Sequence, residues 1–185
     1  MKFFQGVAEN KPNYPESRFQ VLNAIRKNAM VKLPINILLV DDERDFVEIL
    51  SLRLADSGHR VRAAYSGQEA LSVLAETEPD ALPDIDVVVL DIKMPGMDGI
   101  ETLKQIKAKY PVVEIILLTG HGAVDTAVKG LKSGAFDYLL KPADFDELTS
   151  KLEAARKQRD AQVERIREVE ARALMRRSGG ILIHD

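Results

Sequence analysis

The sequence predicts an α/β fold in which a parallel sheet carries helices on its faces. Three observations lead there. From Ile35 to about Lys157, short apolar runs alternate with amphipathic stretches, and five such units can be counted. The runs ILLV, VVVL and IILL are almost purely aliphatic, as strands buried on both faces of a sheet are. Four of the runs lead directly into polar residues suited to phosphate or magnesium, namely Asp41 and Asp42, then Asp91, then Thr119, then Lys141. If the strands are parallel, these side chains share the carboxyl edge, where open α/β sheets bind their ligands.

The elements follow in order. A first strand near 35–40 precedes the acidic pair and a helix near 44–57. A second strand near 60–64, part of the mixed run VRAAY, suits a sheet edge and leads to a helix near 67–77. Strands near 86–90 and 113–118 are the interior ones, each followed by a helix, near 98–109 and 123–132. The fifth strand, near 136–140, is cut short by Pro142 after Lys141. Gly58, Gly67, Gly99 and Gly134 punctuate the helix ends.

The last helix is predicted from 144 onward and meets no further Gly or Pro until Ser178-Gly179-Gly180. That is about three times the usual length, or roughly 50 Å at the standard rise. Leu152, Arg159, Ile166 and Ala173 fall on one heptad position, and Ala155, Gln162 and Val169 on the next. Such an interrupted seam fits a marginal coiled coil, or a helix that needs another surface.

The flanks read differently. Residues 1–34 form an N-terminal appendage with prolines at Pro12, Pro15 and Pro34, ahead of a domain at 35–157 and a helical extension and tail at 158–185. Phe19, Leu22 and Ile25 recur at helical spacing, which predicts a short amphipathic helix near 16–29. Met30 would also make a natural beginning for the domain.

Composition narrows the class. Apolar residues make up 45% and charged residues 30% of 185, the balance of a globular protein. With no cysteine, thiolate metal sites and disulfides are excluded. No apolar run approaches the roughly 18 residues of a membrane span, and the N-terminus lacks a secretory h-region. The expected location is the cytoplasm. The net charge of -3 suggests no polyanionic partner, and the last helix interleaves acids with its bases and carries no aromatics, so nucleic-acid binding is not expected.

The rim residues have a shared chemistry. Magnesium takes oxygen ligands and usually only one or two carboxylates, so Asp41, Asp42 and Asp91 suit a Mg²⁺ site. Crowded without a cation, three carboxylates repel one another. A carboxylate can attack phosphorus to form an aspartyl phosphate, and the charge on the transferred group must be neutralised. Lys141 offers a flexible point charge and Thr119 a hydroxyl donor.

These residues resemble the receiver domain of two-component response regulators. The resemblance spans roughly Ile35 to Ala155 and rests on Asp41-Asp42, VVLDIKMPGMDG around Asp91, LLTGHG around Thr119 and FDYLLKP around Lys141. It implies a doubly wound, flavodoxin-like five-stranded parallel sheet of order 2-1-3-4-5, here with an extended C-terminal helix. It also implies that Asp91 accepts a phosphoryl group from a sensor histidine kinase or phosphotransfer protein. Asp41 and Asp42, with Asp91 and the backbone carbonyl of Lys93, would hold Mg²⁺, while Thr119 and Lys141 would grip the phosphoryl oxygens. Tyr138 matches the aromatic switch that follows Thr119. Gly120, small beside the pocket, leaves Asp91 accessible, and His121 has no assigned role.

Full-length regulators often carry a further module after the receiver. Nothing after Lys157 resembles a helix-turn-helix, so the expectation is a stand-alone receiver like the chemotaxis regulators, acting through a surface of the fourth helix, fifth strand and long fifth helix, with a homodimer as one use of it. Two other readings stay open: a scaffold whose helix binds a partner independently of phosphorylation, and an aspartate-nucleophile phosphatase. The haloacid dehalogenase pattern argues against the second, because it needs an Asp where Lys93 stands.

Overall fold

The computed structural model describes residues 33–76, 82–120 and 124–178. The expected helix at 16–29, Met30, His121 and the tail after Ser178 lie outside the described residues. The chain divides into two units, Met1–Leu33 and Pro34–Asp185, and the fold described here is that of the second.

Five strands, β1 (Asn36–Val40), β2 (Arg60–Ala64), β3 (Val87–Asp91), β4 (Glu114–Thr119) and β5 (Asp137–Leu140), form one sheet in the order β2-β1-β3-β4-β5. All neighbouring pairs are parallel. The expected order is therefore the observed one. β3 and β4 are buried along their whole length, whereas β2, at the edge, alternates between exposed and half-buried positions before a buried Ala64. Sequence separates interior from edge on the same physical ground, since only a strand covered on both faces can be apolar throughout.

The helices are α1 (Arg44–Asp56), α2 (Gly67–Ala75), α3 (Gly99–Lys109), α4 (Val124–Lys132) and α5 (Phe145–Ser178). Alternate strand residues point to opposite faces, which divides the core into two layers. Leu38, Val40, Val88, Leu90, Ile115 and Leu117 meet Leu74 of α2, Leu103 and Ile106 of α3, and Ala127 of α4. Ile37, Leu39, Val87, Val89, Ile116 and Leu118 meet Val47, Leu50 and Leu54 of α1, and Leu148, Leu152 and Ala155 of α5. Helices on both faces of one parallel sheet make the fold doubly wound.

Local chemistry sets where helices begin and end. The Ser66 side chain accepts a bond from the Glu69 N–H at the start of α2, and Asp98 does the same for Glu101 at α3. Asp144 Oδ1 accepts from the Glu147 N–H at 2.9 Å where α5 starts. After α4, Gly134 takes φ +101°, a conformation that side-chain-bearing residues rarely adopt. Gly99 opens α3 for a different reason: a Cβ there would lie 2.2 Å from the backbone oxygen of Asp91. The missing side chain lets α3 start directly under the end of β3.

α5 runs for 34 residues. Its stripe of Leu148, Leu152, Ala155 and Val163 is buried, and beyond Val163 the helix continues with Val169, Leu174 and Met175 exposed.

Candidate acidic metal and phosphoryl site

Register brings the rim together. Val40 pairs with Leu90, Asp91 with Leu118, and Thr119 with Leu140. Asp41 directly follows Val40 and Lys141 directly follows Leu140, so residues far apart in sequence emerge side by side at the carboxyl edge. Carboxylate oxygens of Asp41, Asp42 and Asp91 lie within 4.8 Å of one another.

Asp41 is fully buried and Asp91 nearly so, while Asp42 is exposed. Asp41 Oδ1 accepts from the Glu43 N–H at 3.0 Å, and its Oδ2 receives the Lys141 ammonium at 2.5 Å. Lys141 Nζ also reaches Asp91 Oδ1 at 2.8 Å. The other Asp91 oxygen, Oδ2, accepts from the Lys93 N–H at 2.7 Å, which folds the backbone of the following loop against the carboxylate.

Two neighbours of Lys141 escape a reading of the sequence. Glu43 Oε1 lies 3.2 Å from its ammonium, and the Phe46 ring centre lies 4.8 Å away. An acid after two others reads as one more turn residue, and Phe46 as one more core position, because only the fold reveals that α1 starts beside the end of β5.

Burial dominates the electrostatics of Asp41. It pushes the carboxyl above its ordinary 3.8, ahead of the opposing bonds from Lys141 and the Glu43 N–H, and the nearby Asp91 pushes the same way. Burial alone would lower Lys141, but its bonds to Asp41 and Asp91 prevail and hold it cationic, well above its ordinary 10.5. One ammonium thus faces Asp41, Asp91 and Glu43, with Asp42 close by, leaving a net negative pocket of hard oxygen donors. That donor set suits Mg²⁺.

Thr119 is 1% exposed, and its hydroxyl makes a long 3.4 Å contact to the Gly120 carbonyl. Among the described residues, nothing lies within 4 Å of where a Gly120 Cβ would stand. Tyr138, on β5, is half-buried against the core layer under α2, α3 and α4.

With this geometry in place, comparison with known proteins defines the class. Residues 37–153 match the family model described as the response regulator receiver domain. The chain belongs to that family. Among curated relatives, the transcriptional regulatory protein ZraR of Salmonella typhimurium is 44% identical over 68% of this chain, and that match covers 27% of ZraR. The regulatory protein AtoC of Escherichia coli is 43% identical over 60% of this chain and 23% of AtoC. The chain thus matches about a quarter of these relatives' length. Among solved structures, a response regulator receiver domain protein from Clostridium thermocellum is 34% identical, with a TM-score of 0.65, over 69% of this chain and 98% of that one. The receiver domain of NtrX from Brucella abortus is also 34% identical, with a TM-score of 0.59, over 65% of this chain and 98% of that one.

Proposed function

We propose that this chain receives a phosphoryl group on Asp91 from a phosphohistidine of a sensor histidine kinase or phosphotransfer protein, in a Mg²⁺-dependent reaction. The observation that carries the reading is the contact of Lys141 with both Asp41 and Asp91 in one acidic pocket. Asp41, Asp42, Asp91 and the Lys93 carbonyl would hold the metal, which when bound supplies positive charge against the phosphoryl oxygens. An Asp91 carboxylate oxygen attacks phosphorus, the phosphorus–nitrogen bond breaks, and the imidazole leaves with the bonding electrons. Lys141 then transfers its bond from Asp91 Oδ1 to a phosphoryl oxygen. The Thr119 hydroxyl, weakly engaged at 3.4 Å, turns to donate to another.

Movement of Thr119 leaves room for Tyr138 to turn inward, which alters the surface of α4, β5 and α5. That surface serves a partner protein or a second copy of the chain, and a shift requires the two states to differ in affinity for it. On this reading the domain is a cytoplasmic phosphoacceptor rather than a turnover enzyme, it makes no nucleic-acid contact of its own, and its chemistry is limited to self-phosphorylation and the loss of its own phosphate. Among the described residues no helix is long and apolar enough to cross a membrane.

Phosphotransfer profiling against the histidine kinases of the source organism tests the proposal. One kinase is expected to label the wild-type chain rapidly in Mg²⁺, with labelling lost in EDTA and in Asp91→Ala. Labelling that persists in Asp91→Ala would overturn it, and absence of labelling by every kinase would favour a phosphorylation-independent scaffold.

A further inference from the structure

At the opposite edge of the sheet, we infer that a buried polar clamp fastens α5 to the strands that carry Asp91 and Thr119, making its outer part a rigid arm of fixed direction. Asp86 immediately precedes β3 and is 3% exposed. Its Oδ2 accepts from the Asn36 N–H at 2.8 Å and from Arg156 Nη1. Its Oδ1 pairs with Arg159 Nη1 at 3.1 Å. Arg159, 7% exposed, also donates from Nη2 to the Pro83 carbonyl at 2.9 Å.

The next strand is tied in the same way. Glu114 opens β4 and is 3% exposed. It accepts from Gln158 Nε2 at 3.0 Å and from Lys107 Nζ of α3 at 3.0 Å. Three side chains within one turn of α5 therefore grip the amino-terminal ends of β3 and β4. The carboxyl ends of those strands are Asp91 and Thr119.

This arrangement changes the meaning of Arg159. On heptad grounds it interrupts an apolar seam, yet here it continues the intramolecular contact made by Leu152 and Ala155, and Val163 is still only 5% exposed one turn later. Among the described residues, Arg159 Nε has no hydrogen-bond partner, so the desolvation of this buried arginine is offset through its two Nη groups alone, and removing one partner leaves a charge stranded. Fastened at 156–159, the helix keeps its direction past the sheet and presents Ile166 and Val169 at a set place. An unfastened helix of this sequence would depart after Ala155 and fray.

Two measurements on the full chain test the clamp. Cysteine is absent, so spin labels at Arg60→Cys and Arg167→Cys report a single distance between the exposed sheet edge and the arm. A narrow distance distribution is expected in the otherwise native chain, and a broad one would overturn the proposal without any clamp variant having to fold. Hydrogen exchange should then rise roughly tenfold or more across 156–170 in Asp86→Asn and in Arg159→Met. The β3 amides should hold their protection, and the Glu168→Gln control on the exposed arm should not change. Exchange across 156–170 that is unchanged in both clamp variants would contradict the clamp.

Discussion

At the scale of single residues, the acidic rim carries more negative charge than Lys141 can balance, and that surplus is measurable. Asp42 is exposed while Asp41 is buried and bonded. Asp42→Asn should therefore relieve repulsion without opening the core and raise the metal-free melting temperature by about a few degrees. Mg²⁺ should raise the melting temperature of the wild type by mass action and do so less for the variant. A variant that melts lower and keeps the full Mg²⁺ response would show that Asp42 takes no part in the cluster. Asp86 yields a pH prediction of opposite character to the usual acid sensitivity. Burial holds its carboxyl above the ordinary 3.8, ahead of the opposing Asn36 N–H, Arg156 and Arg159, and Asp160 adds to the rise. The folded state binds this proton more tightly than the unfolded chain, so the linked stability is full below pH 3.8 and falls as pH rises toward the folded value. Asp86→Asn cannot titrate. The wild type's advantage over it should narrow as pH rises above 3.8, and denaturation at a series of pH values would show the gap widening if the sign were wrong.

At the scale of elements, the approach of α3 to the end of β3 depends on Gly99. A Cβ there would sit 2.2 Å from the Asp91 oxygen and 2.7 Å from the Ile92 Cα, both backbone atoms that cannot swing aside. Gly99→Ala should cost about 3 kcal/mol or more and displace Asp91, whereas Gly120→Ala, whose Cβ would meet none of the described residues within 4 Å, should stay within about 0.5 kcal/mol of wild type. Paired denaturation curves separate the two. Strands and their polar ends are legible in sequence because burial on both faces forces unbroken apolar runs, and a run of that kind must stop where the chain meets water. Glu43 and Phe46 are not, since their importance comes from the neighbouring end of β5, about a hundred residues away. Helical periodicity reads Arg159 as a flaw in a seam, because periodicity registers the missing apolar side chain and not the distant carboxylate that compensates for it.

At the scale of the whole molecule, the proposed signal enters at the carboxyl edge and leaves through a surface that includes α5. If that surface joins two copies, light scattering should report a larger mass with a beryllium fluoride phosphate mimic than without it, and identical masses would exclude a phosphorylation-driven dimer. The relatives ZraR and AtoC are regulatory proteins by name, and this chain matches about a quarter of each. What the proposed signal reaches through α5 is a question about partners, while its receipt is a question about one carboxylate. The direct measurement is peptide mapping by mass spectrometry after phosphotransfer, with borohydride reducing the acyl phosphate to a stable alcohol. The reduced residue should be Asp91, formed only when Mg²⁺ is present. A modification at any other residue, or one that forms equally well in EDTA, would contradict the assignment.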